Sequence, residues 1–259
     1  MRRPLPALLT LAIALALPVA ALPASAQTSD APATATANPK AAQLDRLYAQ
    51  YWEESLKLNP LGATFQGDPR YNDQLPNFLS AEYRATSRRF TEDWLKKIEA
   101  VGSDGLRGQD LLSYQIFVRD AKSELEGQRF PGWMQPINQF YNIGSTVVQL
   151  GSGTGAQPFK TVQDYDNWKK RATRVPVLFD QAIANMREGM KGGVVQPTAL
   201  MQKVVPQLDA LIKPKAEDTL FWGPVNKLPT SFSEADRQRI TADYRQMIEG
   251  TLMPAYAKL

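Results

Sequence analysis

The chain has 259 residues, with 30 Lys and Arg against 26 Asp and Glu, and it contains no histidine and no cysteine. Without imidazole or thiol groups, it cannot form a Ser-His-Asp or Cys-His nucleophile pair. The same absence excludes His- and Cys-based zinc sites and a disulfide framework. Acids and bases alternate locally, so the charge pattern indicates neither a nucleic acid nor a membrane surface as a partner.

The first residues have the three parts of a secretory signal peptide. A pair of arginines supplies the positive start, residues 8–21 form an apolar run, and Ala24-Ser25-Ala26 is a small-residue cleavage site. The alternative is a membrane anchor, which needs about 20 apolar residues, whereas this run is shorter and contains Pro18. We therefore predict a cleaved signal peptide over residues 1–26 and export to the periplasm or the extracellular space. No membrane attachment is expected after cleavage, and no lipid anchor, because no cysteine can carry one.

The segment after the cleavage site offers little that can be buried. Residues 27–39 are mostly Ala, Thr and Pro, a composition typical of a disordered tether. We predict that residues 40–259 form one helical domain, which is long enough to bury a substantial core.

Helical periodicity dominates the first part of this domain. Asn38-Pro39 predicts a helix start, and Asn59-Pro60 predicts its end. Residues 61–78 contain several Gly and Pro and are predicted to form a long ordered loop. Two further helices are predicted, one capped by Ser80 and one that ends near Gly127. Large residues on the predicted buried faces of these helices include Leu44, Trp52, Phe90, Trp94 and Ile98.

Residues 130–159 differ in character from the segments around them. They combine aromatic and amide side chains with a glycine cluster, and loops this long inside a domain are commonly functional or disordered. The aromatic and amide content argues against disorder. We expect Trp133, and likewise Trp222 in a later irregular segment, either to line a groove or to anchor its loop. The polar residues predicted to line a cleft are Gln135, Asn138, Gln139 and Tyr141.

Regular helical patterns resume at Thr161, which opens a sequence that resembles a capping box with Asp164. Pro176 is expected either to kink or to restart the helix. Apolar residues then continue as a predicted buried stripe up to Met190, and Gly192-Gly193 ends the helix.

The last third of the chain predicts two more helices. One opens at Thr198 and contains Pro206 as a second kink, and the other is capped by Ser233. Residues 213–232 between them are predicted to be irregular. Together these patterns predict an all-α fold, a multi-helix array with kinked helices and long ordered loops.

Three motifs resemble ligand sites without meeting their physical requirements. Residues 151–156 match the glycine spacing of a dinucleotide fingerprint, but no strand precedes them and no helix follows at once. Asp164 and Asp166 lack the turn glycine and distal Glu of a calcium loop, and acids in a first helical turn stabilise the helix dipole. The charged residues within 68–73 either contact a ligand or cap helices and pair with one another. No catalytic residue, cofactor site or metal ligand is singled out.

Several short segments stand in a recognisable order along the chain. They are residues 59–64, Gly67, residues 71–73, residues 134–139, residues 165–171, residues 174–176, Gly189, residues 192–193 and residues 235–237. Together, from about residue 43 to the end, they resemble the N-terminal part of the bacterial domain-of-unknown-function 885 family.

That resemblance implies a fold like the gluzincin-type zinc metallopeptidases, with a deep cleft between two helical halves. The family's His-Glu-x-x-His helix lies in the C-terminal half, so no catalytic or zinc-binding residue can be carried over to this chain. The resemblance implies that the chain forms one wall of the cleft of an exported hydrolase that acts on peptides. Zinc is implied for a missing C-terminal half, which would be the partner of this chain.

The pattern of the last helix agrees with that expectation, because it is still amphipathic when the sequence stops at Leu259. We therefore expect the chain to be truncated and inactive by itself. The alternative is a self-standing periplasmic helical module that binds or scaffolds without catalysis.

Overall fold

The computed structural model describes residues 38–259, so the predicted signal peptide and most of the predicted tether lie outside it. The described part is helical and contains no strand, which confirms the all-α prediction. No helix in it combines the length and apolar character that crossing a membrane requires. The α-helices are α1 (Pro39–Leu58), α2 (Pro60–Phe65), α3 (Ala81–Val101), α4 (Gly108–Gly127), α5 (Ile143–Gly151), α6 (Val162–Ala172), α7 (Val175–Gly192), α8 (Thr198–Asp209), α9 (Gly223–Asn226), α10 (Glu234–Met247) and α11 (Met253–Lys258).

Helices α1, α3 and α4 pack around a small apolar core of their own. Leu44 of α1 lies against Ile98 and Val101 of α3, and Leu106 closes this core from the connection between α3 and α4. Because only a few residues are fully buried here, much of the apolar surface of these helices stays half-exposed.

A larger core joins the helices from α5 onward. Trp168, Phe179, Phe221, Tyr244 and Tyr256 are each almost completely buried in it. The ring of Phe179 meets that of Tyr256 edge-on with centroids 5.0 Å apart. The final helix α11, which carries Tyr256, is therefore an integral part of the core.

The helix starts follow from local capping chemistry. The side chain of Asn38 accepts a hydrogen bond from the backbone N–H of Lys40, so α1 begins at Pro39 within the segment predicted as tether. Ser80 and Ser233 cap α3 and α10 in the same way. Thr161 forms the complete reciprocal box at the start of α6. Each cap satisfies backbone N–H groups that the helix cannot pair internally.

Three prolines shape the later helices in different ways. Pro176 occupies the first turn of α7, so it restarts a helix. Pro206 remains inside α8. Pro254 in α11 follows a π-helical turn over Ile248–Leu252. Because a proline ring clashes with the carbonyl four residues earlier, this wider turn lets the chain continue past Pro254.

Three segments predicted as loops or irregular chain contain helices. Residues 61–78 form most of α2 and a single 3-10 turn at Pro69–Tyr71 before the chain becomes irregular. Residues 130–159 contain α5, which begins because the Asn142 side chain accepts a hydrogen bond from Gly144 N–H. Within residues 213–232, α9 and two 3-10 turns interrupt the predicted irregular chain.

Two side chains predicted to be buried are exposed. Trp52 is 46% exposed, and the neighbouring Tyr51 packs inward against the ring of Trp94. Met190 is 70% exposed near the end of α7. Both predictions were wrong for the same reason, since each helix packs on one side only and the edge of its apolar stripe remains uncovered.

Gly151, the first glycine of the predicted cluster and the last residue of α5, is explained by close packing. A Cβ atom on Gly151 would lie 2.3 Å from the Trp168 ring and 2.7 Å from the ring of Phe221. Such distances are far inside van der Waals contact, so the position requires glycine for packing without any bound nucleotide.

Candidate functional site

An open groove with aromatic walls runs along α3 and α4. It consists of two hollows of about 420 and 480 Å³, which meet at Glu124. The first is lined by Tyr48, Tyr51, Thr91, Trp94, Ser113, Ile116, Phe117, Asp120, Ala121 and Glu124. The second is lined by Phe78, Tyr83, Arg84, Ala85, Ser87, Arg88, Glu124, Gly127, Gln128, Phe130, Gly132 and Trp133. We call the two together the α3–α4 groove.

The groove is open because α4 is poorly covered. Ala121 is the one residue of this 20-residue helix that is fully buried. Leu112 and Ile116 are exposed, although both are large and apolar. An amphipathic helix normally buries such residues against a neighbour, so α4 presents an apolar face that the described chain leaves uncovered.

Interlocked rings fix the floor of the first hollow. The ring of Tyr51 meets the rings of Trp94 and Phe117 edge-on, at centroid distances of 5.6 and 4.9 Å. The indole N–H of Trp94 donates to Glu54 at 3.0 Å. The hydroxyl of Tyr48 is buried without a hydrogen-bond partner among the described residues, and burial raises its pKa. A buried polar group of this kind is a ready contact for a bound ligand.

Carboxylates stand along the wall of the first hollow. Glu124 accepts hydrogen bonds from the Thr91 hydroxyl at 3.0 Å and from the Gln128 amide at 3.3 Å. Asp120 is exposed and pairs with Arg119. Burial raises the pKa of Tyr51, and the negative charge of Glu124 adds to that increase. This hollow is therefore aromatic with a negative edge.

The second hollow adds positive charge to the groove, because Arg84 and Arg88 line it beside the shared Glu124. The guanidinium of Arg84 lies over the ring of Trp133 with its carbon 4.4 Å from the ring centroid. It donates to the carbonyl of Leu79 at 2.6 Å and forms no ion pair with any residue in 38–259. Burial lowers its pKa, but a guanidinium remains protonated at neutral pH. Its neighbour Arg88, in contrast, pairs with Glu92 at 2.8 Å.

The four residues predicted to line a cleft lie away from this groove. Asn138 accepts hydrogen bonds from the backbone N–H groups of Phe140 and Tyr141, both at 2.8 Å, and so shapes its own loop. Tyr141 is 79% exposed and Gln139 is half-buried. Gln135 lines a separate hollow of about 170 Å³ among Met134, Met186, Met190 and Met201. None of the four lines the α3–α4 groove, whereas Trp133 does.

Sequence reasoning missed most residues of the groove. Tyr48 and Tyr51 fall on the apolar stripe of α1, which we predicted to be core. Arg84 and Arg88 are one turn apart on α3 and flanked by aromatic residues, and that pattern is the one sequence signal that could have indicated a charged groove.

A second polar cluster surrounds Arg171, which is 1% exposed. Its guanidinium donates to Gln157 Oε1 at 2.6 Å and to Thr64 Oγ1 at 2.9 Å. It also donates to the carbonyls of Tyr71 and Gln74 at 2.7 and 3.0 Å. Burial lowers the pKa of Arg171 to about 10. Since these partners use most of its donors, the cluster ties α2 and the following loop to α6 and leaves no room for a ligand.

The charged residues in 68–73 form ion pairs within the chain. Asp68 accepts from the backbone of Arg70 and pairs with its guanidinium at 2.6 Å, and Asp73 pairs with Lys170 at 2.6 Å. Several segments that carry the family resemblance, including Thr64 and Arg171, therefore meet in one structural cluster.

Zinc does not fit the residues of this chain. The chain has no histidine or cysteine, and the described residues contain no group of three or more acidic side chains close enough to hold a metal ion. No step of a zinc-dependent reaction can be assigned to a residue of this chain.

Comparisons with known proteins agree with the helical architecture. A family model described as "Bacterial protein of unknown function (DUF885)" matches residues 60–259. Among solved structures, the chain is similar to one described as "the putative lipoprotein from Colwellia psychrerythraea", with 17% sequence identity and a TM-score of 0.71. The match covers 85% of this chain and 40% of that one, so this chain spans less than half of its length. At this identity the likeness shows the fold alone. No curated protein matches the chain.

Proposed function

The chain belongs to the bacterial DUF885 family of proteins of unknown function, and from this membership we propose that it is the substrate-binding, non-catalytic half of an exported zinc-metallopeptidase-like hydrolase that acts on peptides. Residues 1–26 serve as the export signal in this proposal, and the protein works in the periplasm or outside the cell. Zinc and the catalytic residues belong to a part of the protein that the 259 residues do not include.

The observation that carries the proposal is the mixed character of the α3–α4 groove. Its aromatic floor has Glu124 and Asp120 at one hollow and Arg84 at the other. A peptide presents apolar side chains between a positive amino end and a negative carboxyl end, which such a groove complements in all three respects.

The dimensions of the groove suit a short peptide. From Arg84 to Trp94 the helix α3 rises about 15 Å, at about 1.5 Å per residue. An extended peptide rises about 3.3 Å per residue, so the groove accommodates about four residues. We therefore place oligopeptides ahead of folded proteins as ligands.

The residues that line the groove bind and orient a peptide and do not cleave it. No hydroxyl in it has the neighbouring imidazole that activates a serine nucleophile, because the chain has no histidine. The similar structure is more than twice as long as this chain, which supports a catalytic part elsewhere in a longer protein.

A second candidate function is a self-standing module that binds peptides without hydrolysis. It is favoured by the burial of α11, since the hydroxyl of Tyr256 donates to the carbonyl of Gly144 inside the core. A chain packed in this way can fold by itself and present the groove without further domains.

Mass spectrometry of the native protein tests the first proposal against the second. The protein is isolated from its host, weighed intact, loaded with zinc and incubated with a mixture of peptides of three to eight residues. We expect a mass well above the 28.8 kDa of this chain, cleavage that a zinc chelator abolishes, and no cleavage by the 259-residue chain alone. Cleavage by the 259-residue chain would contradict the non-catalytic assignment. Peptide binding without cleavage by the native protein would favour the binding module.

A further inference from the structure

We infer that Arg84, which lies over the ring of Trp133, is the anchor for the free C-terminal carboxylate of a bound peptide. We call this pair the Arg84–Trp133 site. The inference rests on the proposed function only for its assumption that the ligand is a peptide. The chemistry of the pair, a guanidinium directed at a carboxylate, follows from the contacts in the second hollow.

The positive charge of Arg84 is not neutralised by the described chain. The other arginine of this hollow, Arg88, has a carboxylate partner in Glu92. Glu124 also borders the hollow but is not within ion-pair distance of Arg84. The electrostatic attraction for an incoming anion is stronger at a half-buried cation without a counter-ion than at an exposed cation that is already paired.

The donors of Arg84 are held in a geometry that fits a carboxylate. One terminal nitrogen donates to the Leu79 carbonyl, and the guanidinium carbon lies over the Trp133 ring, 4.4 Å from its centroid. Contact with an aromatic face helps to hold the guanidinium in place while its other N–H groups have no partner among the described residues. A carboxylate can accept two parallel hydrogen bonds from the edge of a guanidinium.

The surroundings of the pair indicate what precedes the carboxylate. Phe78, Tyr83 and Phe130 also line the hollow, and Phe130 is largely exposed. Exposed aromatic rings next to a cation provide an apolar subsite for the last side chain of the peptide. The site is therefore expected to favour a C-terminal residue with a large apolar or aromatic side chain.

A matched pair of peptides tests the carboxylate anchor. N-acetyl-Ala-Ala-Phe is titrated into the full chain by isothermal calorimetry, first as the free acid and then as the C-terminal amide. We expect the acid to bind about tenfold more tightly than the amide, a difference of about 1.4 kcal/mol. Arg84→Gln is expected to remove this preference while the weaker affinity for the amide persists.

The control is Arg88→Gln, which removes a guanidinium from the same hollow that already has a carboxylate partner. Because Arg88 also lines the groove, we expect any loss of affinity in this variant to affect acid and amide alike, so that the tenfold ratio between them is kept. Circular dichroism melting establishes that both variants fold, and the acid-to-amide comparison on the unaltered chain does not depend on either. Equal binding of acid and amide, no binding of either at millimolar concentration, or a preserved preference in Arg84→Gln would each overturn the site.

The outcomes separate this inference from the proposed function. A preference for the acid that depends on Arg84, together with no cleavage by the native protein, would support the Arg84–Trp133 site and contradict the hydrolase function. Cleavage of acid and amide peptides at equal rates, with equal binding of both, would support the hydrolase function and contradict the Arg84–Trp133 site.

Discussion

Substitution of Arg171 tests whether its cluster is structural. In Arg171→Met, the carbonyls of Tyr71 and Gln74 lose a buried donor, as do two side-chain oxygens. Each buried acceptor left without a partner costs about 1–3 kcal/mol. We expect the free energy of unfolding to fall by about 3 kcal/mol or more, measured by urea denaturation.

The neighbouring Lys170 provides the matched control for Arg171. Its ammonium pairs with Asp73, but the side chain is mostly exposed, and exposed pairs contribute at most about 1 kcal/mol. Lys170→Met should therefore change stability little. Equal effects of the two substitutions would show that Arg171 is not the buried tie that its contacts indicate. Peptide binding in the α3–α4 groove should survive Lys170→Met unchanged.

At the level of single helices, the packing of α5 requires glycine at its last residue, Gly151. Gly151→Ala would place a methyl group within 2.3 Å of the Trp168 ring, and overpacking of this kind costs about 1–3 kcal/mol. Gly127 at the end of α4 has no atom within 4 Å of its ideal Cβ position. We expect Gly151→Ala to lower the melting temperature and Gly127→Ala to leave it unchanged or raise it. A neutral Gly151→Ala would mean that α5 shifts freely away from α6.

Local sequence chemistry predicts the helix starts better than it predicts the short helices. Ser80, Thr161 and Ser233 begin helices as expected, because a cap depends on residues within three positions of each other. Helix α5 was missed because its nine residues include glycines at both ends and stand among aromatic and amide residues. Its stability comes from burial against α6 and α11, which the sequence pattern does not reveal.

The candidate site illustrates the same limit for non-local structure. The α3–α4 groove arises because two helices and the segment near Trp133 meet without filling the space between them. Trp133 was a groove candidate from its irregular surroundings. Arg84 was not, since one arginine on a solvated helix resembles many others. Its distinction is that it lies over the ring of Trp133 and also lacks a carboxylate partner among residues 38–259, and that combination depends on how the whole molecule packs.

For the whole molecule, the titrating groups predict a flat stability profile near neutral pH and a steep loss in alkali. The chain has no histidine or cysteine to titrate near pH 7. Burial raises the pKa of Tyr165 to about 12 and also raises the pKa values of Tyr244 and Tyr256 well above the ordinary value for tyrosine. In the unfolded chain these hydroxyls ionise near pH 10, so above that pH the folded state binds more protons than the unfolded state. Stability must then fall as pH rises.

The measurable quantity is the slope with which the free energy of unfolding falls as the pH rises above 10. Each of the three buried tyrosines contributes about 1.4 kcal/mol per pH unit above pH 10. Arg171 acts in the opposite direction, because its folded pKa of about 10 lies below its unfolded value. This makes stability rise with pH, but a single arginine offsets only one of the three protons that the tyrosines contribute. Urea denaturation at pH 7, 8, 10 and 11 should show equal stability at the first two values and a sharp decrease between the last two.

Tyr244→Phe, which loses only a 3.4 Å hydrogen bond to the Tyr165 carbonyl, should reduce the slope by one proton while leaving stability at pH 7 nearly unchanged. An unaltered slope in this variant would mean that the Tyr244 hydroxyl reaches solvent in the folded protein, and that the core around α6 and α10 is more open than its contacts indicate.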